Sequence, residues 1–174
     1  MAMGKGTWDS GVDYAYMYAR IARHMRAAAR GTSQCYDAIL LVQLRNGARV
    51  SEAVRAFFQF LRKKSLEVEV RVSKKKREEL RLVIIPEELL SLDLSLCHAL
   101  LERGERRVVA SVKNYCRRTY RVNTHSLRYA FITHLLRQGI NPAIIAKITH
   151  HSNLDFVLHY TQRKEAERVL RELP

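Results

Sequence analysis

Apolar positions recur at two spacings along this chain, and the rarer one marks a sheet. Residues 66–72, LEVEVRV, alternate strictly and predict a strand. KKKREE follows as a charged turn, and LRLVIIP reads as a second strand closed by Pro86. Together they predict a β-hairpin whose tip, with Lys74, Lys75, Lys76 and Arg77, is strongly basic. Elsewhere the pattern is helical. A first helix is expected over residues 9–30, capped by Asp9 or Ser10 and stopped by Gly31. Tyr14, Tyr16 and Tyr18 alternate as in a strand, but their Ala-rich surroundings favour the helix. A second helix spans 33–46, buried over Ile39 to Val42 and ended by Gly47. ARVSEAVRAFFQFL opens a third, with Ser51 as its N-cap.

Beyond Pro86, EELLSLDLSLCHALLERG predicts one or two short helices interrupted near Asp93. Glu105 to Tyr120 forms a basic helix carrying Arg106, Arg107, Lys113, Arg117 and Arg118. The helix from Thr124 ends at Gly139, and Asn141 caps another with Pro142 in its first turn. Ser152 or Asn153 starts a helix carrying Tyr160, and TQRKEAERVLRELP forms a short amphipathic tail. The expected fold is therefore α+β, mostly α, with one small antiparallel sheet. The 174 residues suffice for a single domain with a real core.

Charge changes the picture most. Thirty-one Lys and Arg face 17 Asp and Glu, for a net charge of +14 and a pI near 10.1. Such an excess favours a polyanionic partner, because each neutralised phosphate releases condensed counterions. Charge alone also fits a basic thermophile or ribosome-associated protein. Arg20, Arg23, Arg26 and Arg30 give the first helix a basic face, suited equally to solvent or to a DNA backbone. No apolar run approaches the roughly 20 residues that a membrane span needs. The N-terminus lacks the apolar core of a signal peptide, so a cytoplasmic protein is expected, with no membrane partner. Cys35, Cys97 and Cys116 are odd in number and far apart. They predict buried, reduced thiols, and neither a zinc site nor a disulfide framework.

Candidate chemistry lies between Thr124 and Tyr160. His125 and Arg128, three residues apart, share one helix face and can address one target. That target should be an anion, since a guanidinium grips a phosphate through two parallel hydrogen bonds. Tyr160 stands nine residues after His151, and a tyrosine beside an anion site can attack it. Arg49 and Glu52 straddle a helix start, where the arginine can aim at a phosphate and the glutamate can hold it. Alone, R-x-S-E is equally a capped surface helix start. His150 and His151 have no acidic or thiol neighbours to complete a metal site, so no metal or cofactor is expected. His24, His98 and His134 fall outside the pattern and are read as structural or surface residues.

These boxes resemble the catalytic domain of the tyrosine recombinases, the integrases and resolvases of phages, bacteria and archaea. GARVSEAV matches the family's turn, Arg and following Glu. HSLRYAFIT matches its H-x-L-R box, and HHSNLDFVLHY its segment with a His nine residues before a Tyr. VRVSKKKREELRLVIIP stands where the family has a lysine-bearing hairpin. The resemblance covers about residues 40–161. Tyr129 replaces a frequent His, and His150 replaces a Gly before the third-box His, so His150 and His151 compete for that role; the spacing favours His151.

The resemblance implies site-specific DNA strand cleavage and rejoining. Arg49 and Arg128 would clamp the phosphate, Tyr160 would attack it, His125 would act in acid–base catalysis and His151 would hydrogen-bond the phosphate. Lys75 would protonate the leaving oxygen, with Lys74 or Lys76 as alternatives; Lys74, Lys76 and Arg77 would contact DNA. Glu52 and His150 would support. Double-stranded DNA is the implied partner, with a free monomer and a tetramer on recombining DNA. The implied organisation is one catalytic domain over 1–174, with residues 1–8 as leader and 161–174 as tail, lacking the family's N-terminal clamp domain. A type IB topoisomerase and a non-catalytic, recombinase-derived DNA-binding module are the competing readings.

Overall fold

Helix α2 forms because almost every position from Gln34 to Leu44 finds cover. The computed structural model describes residues 11–28, 31–73, 78–151, 155, 166–167 and 169–173. Within it, α2 spans Thr32–Asn46, and helices from both earlier and later in the chain pack on it together with the second strand. A helix buried on every side is the axis of its domain. It stops at Gly47, whose left-handed φ of 55° lets its amide reach back to the Gln43 and Leu44 carbonyls.

The first helix, α1, spans Tyr14–Ala27 and buries Met17, Ile21, Ala22 and Met25. It starts later than expected. Its N-cap is Asp13, whose carboxylate accepts from the Tyr16 amide at 2.7 Å, so a side chain nearer than Asp9 or Ser10 satisfies the first turn. Helix α3, Val50–Lys63, also corrects the expected cap. Arg49 takes that position, because the Glu52 carboxylate reaches back to the Arg49 amide at 3.0 Å. Ser51 pairs with Ser73 instead, 2.7 Å between hydroxyl oxygens.

Strands β1, Glu67–Arg71, and β2, Leu80–Ile84, pair antiparallel from Glu67 opposite Ile84 to Arg71 opposite Leu80. Val68 and Val70 point inward from β1, as alternation predicts. On β2 the inward residues are Arg81 and Val83, while Leu80 and Leu82 are 57% and 53% exposed. Two 3-10 turns, Glu87–Ser91 and Ser95–His98, lead into α4, Ala99–Arg103. Cys97 in the second turn forms a disulfide with Cys35 of α2, their Cα atoms 5.5 Å apart. This corrects the expectation of reduced thiols, since packing closes a separation of 62 residues to bonding distance. Cys116 is free and buried, and burial pushes its thiol up to about 12.

Helix α5 spans Glu105–Tyr120, with its arginines exposed. Its inner face reaches Asp37, a fully buried carboxylate that accepts from Tyr115 at 3.0 Å and Tyr120 at 2.6 Å and lies 2.7 Å from His24 Nδ1. That network ties α1, α2 and α5. Helix α6, Thr124–Arg137, is capped by Asn123, and α7, Pro142–Thr149, by Asn141 with Pro142 at its start. Phe131 and Ile132 of α6 pack with Ile145 of α7. Asp155 and parts of 166–172 are helical. Among the described residues, no helix is long and apolar enough to cross a membrane. The architecture is the mostly helical α+β fold expected.

Candidate functional site

Three separate segments meet at the start of α3. Gly47 turns the chain there, and a Cβ at this position would stand 2.3 Å from the Phe131 ring of α6. Glycine thus serves both the left-handed turn and the close approach of α6. Gln43 secures the same junction, its Nε2 donating to the Ala48 carbonyl at 3.2 Å and to the Thr124 carbonyl at 2.8 Å. The turn bearing Arg49 is thereby bound to the first turn of α6, which bears His125.

Glu52 is the electrostatic centre. Its carboxylate is fully buried yet fully satisfied. Oε1 accepts from Arg49 Nη1 and the Ser73 amide, each at 3.0 Å, while Oε2 accepts from the Arg49 amide at 3.0 Å and Arg81 Nη1 at 2.9 Å. Arg128 Nη1 stands 4.0 Å from Oε2. Burial alone would raise the Glu52 carboxyl, but the Arg49 amide, the Arg81 charge and the Ser73 amide together hold it below its usual range.

Arg128 is 1% exposed. It donates from Nη1 to the Gly47 carbonyl at 3.1 Å and from Nη2 to the Thr149 carbonyl at 2.8 Å, which joins α6 to the Arg49 turn and to the end of α7. Burial, followed by the neighbouring Arg49 charge, lowers its guanidinium to about 9.

His151 follows the left-handed His150 and lies against Arg128. Burial, then the charges of Arg128 and Arg49, depresses its imidazole to about 3, so it is neutral at physiological pH. The hydrogen bonds assign its tautomer. Thr149 Oγ1 donates to the Ile145 carbonyl at 2.7 Å and so accepts from His151 Nδ1 at 2.8 Å. Nε2 is left to accept from Arg128, 3.2 Å from Nη2. His150 instead pairs through Nδ1 with Glu79 beside the hairpin. Of the two histidines, His151 is the one against Arg128.

His125 is exposed on the first turn of α6, its ring edge-on to Tyr129 at 4.8 Å, and Tyr129 lies 6.5 Å from the His151 ring. Tyr129, whose role the sequence left open, therefore bridges the two histidines. The structure brings together Arg49, Glu52, His125, Arg128 and His151. Lys74, Lys75, Lys76, Arg77 and Tyr160 lie outside the described residues, although Ser73, just before the lysines, is held on Glu52. Among the described residues, no three His, Cys, Asp or Glu side chains gather where they could share a metal ion. Arg81 escaped the sequence reading. Its signal was there, as the single charge inside the apolar strand LRLVI.

A strand hairpin set on a helix start, with three arginines gathered around one buried carboxylate and His151 against Arg128, makes up the candidate site. The chain belongs to the phage integrase family, which it matches over residues 17–167. It is 38% identical over 172 residues to the integrase candidate ORF241 of Acidianus two-tailed virus, covering 97% of this chain and 70% of that protein. An uncharacterized protein of Methanocaldococcus jannaschii is 27% identical over 199 residues, covering 97% of this chain and 89% of its own. The tyrosine recombinase XerC of Halalkalibacterium halodurans is 36% identical over 62 residues, covering 36% of this chain and 20% of that one. No solved structure matches.

Proposed function

We propose that this protein is a site-specific DNA recombinase that cleaves and rejoins DNA through a 3′-phosphotyrosine intermediate. One observation carries the reading: Arg49 and Arg128, from helices distant in sequence, converge beside the same buried carboxylate. Glu52 offsets only part of their charge, since Arg81 is present too, and the excess positive charge suits a phosphodiester. In the proposed reaction, Tyr160 Oη attacks phosphorus and the bond to the 5′-oxygen breaks. The two arginines stabilise the charge gathering on the non-bridging oxygens. The tyrosine proton passes to His125, whose exposed ring stands at the edge of the site. Lys75, or Lys74 or Lys76 beside it in the sequence, protonates the departing 5′-oxygen. Reversal with a different 5′-hydroxyl rejoins the strand, because the phosphotyrosine conserves the ester bond.

Double-stranded DNA is the substrate, and the net charge of +14 with the exposed arginines of α5 supports backbone contact. A tetramer on two duplexes would carry out full strand exchange. The test is incubation with a nicked suicide duplex carrying a candidate attachment site, resolved on a denaturing gel beside Tyr160→Phe. A protein–DNA adduct that is lost in the variant supports the mechanism. DNA that is shifted without any adduct would leave a binding module.

A further inference from the structure

Glu52 could not hold its four hydrogen bonds if it were protonated. Each oxygen already accepts two N–H donors, and a carboxylate offers about four lone-pair sites in all. A proton would need one of those sites, so one of the four donors would be lost: the Arg49 guanidinium, the Arg49 amide, the Arg81 guanidinium or the Ser73 amide. The first orients a phosphate ligand, and the last fixes the strand end leading into the basic run at 74–77. Full burial works against ionisation. The site therefore needs a permanent positive charge beside Glu52 that substrate never shares.

Arg81 meets that need. It is 3% exposed on the inward face of β2, where alternation would otherwise place an apolar side chain. Nη1 bonds Glu52 and Nη2 bonds the Asn46 carbonyl at 2.8 Å. Asn46 itself grips β2, its amide bonding both the Ile84 carbonyl and the Ile84 amide at 2.8 Å. Arg81 thus cannot swing toward DNA. The other charged groups facing Glu52 are Arg49 from its own helix start and Arg128 from α6, with the neutral His151 beyond. Under the proposed function, both of those arginines turn part of their charge to the phosphate.

We propose that Arg81 is a positioning residue for strand cleavage: it keeps Glu52 ionised, so that one carboxylate sets both the Arg49 guanidinium and the hairpin strand leading to the lysines. The inference rests on the cleavage function proposed above. Arg81→Gln removes the charge, and Arg81→Lys keeps it without the fork to Asn46; Arg81→Met replaces the Gln variant should that fail to fold.

Two readouts separate positioning from plain stability. The first is single-turnover cleavage of the suicide duplex between pH 5 and 9. Loss of a residue that orients a functional group typically costs about 10–100-fold, and the neutral variant should lose that much near pH 6. It should recover as pH rises, on a limb that the wild-type lacks, with DNA affinity little changed. Arg81→Lys should restore the wild-type profile. Equal losses in the Gln and Lys variants with parallel profiles would overturn the proposal. The second readout is the Glu52 carboxyl carbon shift by NMR, which needs no activity. Titration at least about one unit higher in the neutral variant, restored by Lys, is expected; an unchanged midpoint overturns the proposal. A wild-type without any Tyr160-dependent adduct would sink the cleavage function alone, and the carboxyl titration would still decide the role of Arg81.

Discussion

Nη2 of Arg128 lies 3.1 Å from Nδ1 and 3.2 Å from Nε2 of His151, so a buried cation sits against an imidazole. Such an imidazole resists a proton that the unfolded chain accepts. Its folded value, about 3, lies below the ordinary value of 6.5, so its contribution to stability is complete above pH 6.5 and is lost as pH falls toward 3. Each unit is worth about 1.4 kcal/mol, giving at most roughly 2 kcal/mol between pH 6.5 and 5. His151→Gln should flatten that part of the slope in urea denaturation, while the other histidines act equally in both proteins. Parallel slopes would show that His151 is not held neutral.

Removing the charge of Glu52 leaves Arg49, Arg81 and Arg128 facing one another. Glu52 and Arg81 are both buried, and breaking such a pair typically costs about 3–5 kcal/mol. Glu52→Gln, nearly the same shape, is therefore expected to lower the unfolding free energy by that order. It should also lower phosphotyrosine formation, since Arg49 loses its support. A small stability loss with unchanged adduct yield would remove Glu52 from the centre of the site.

Gly47 carries two constraints that alanine violates. The left-handed φ costs a non-glycine residue about 1 kcal/mol, and overpacking against Phe131 typically adds about 1–3 kcal/mol. Because the Gly47 carbonyl also holds Arg128, Gly47→Ala should reduce cleavage by more than its melting shift explains. Calorimetry beside the adduct assay measures both.

The Cys35–Cys97 disulfide closes a separation of 62 residues, for which chain entropy predicts about 4 kcal/mol of stabilisation. Reductant, or Cys35→Ala with Cys97→Ala, should lower the melting temperature accordingly. Alkylation followed by mass spectrometry should label no cysteine in the native oxidised protein, Cys116 alone after denaturation, and all three after reduction. Labelling of Cys116 in the native state would contradict its burial and its raised thiol.

Much of the fold was legible along the chain because its signals are local. The α5 helix ran as read from Glu105 to Tyr120, and α2 stopped at Gly47 and α7 began at Asn141–Pro142, since caps and turns act over a few residues. The cap of α3 was misread for a similar reason: Ser51 and Arg49 compete within one turn, and the reach of Glu52 decides between them.

By itself, the sequence determined the helical periods, the hairpin and the i, i+3 spacing of His125 and Arg128. Only the tertiary structure decided that Arg81 faces inward, that Cys35 meets Cys97 and that His151 is neutral. Period-two alternation gives two faces to a strand without saying which is buried, and LRLVI put its leucines outside because Glu52 lay waiting inside. Ionisation depends on desolvation and on charges a few ångströms away. Those neighbours come from residues 49, 52, 81 and 128: helix spacing pairs Arg49 with Glu52, but no local spacing brings Arg81 or Arg128 to them.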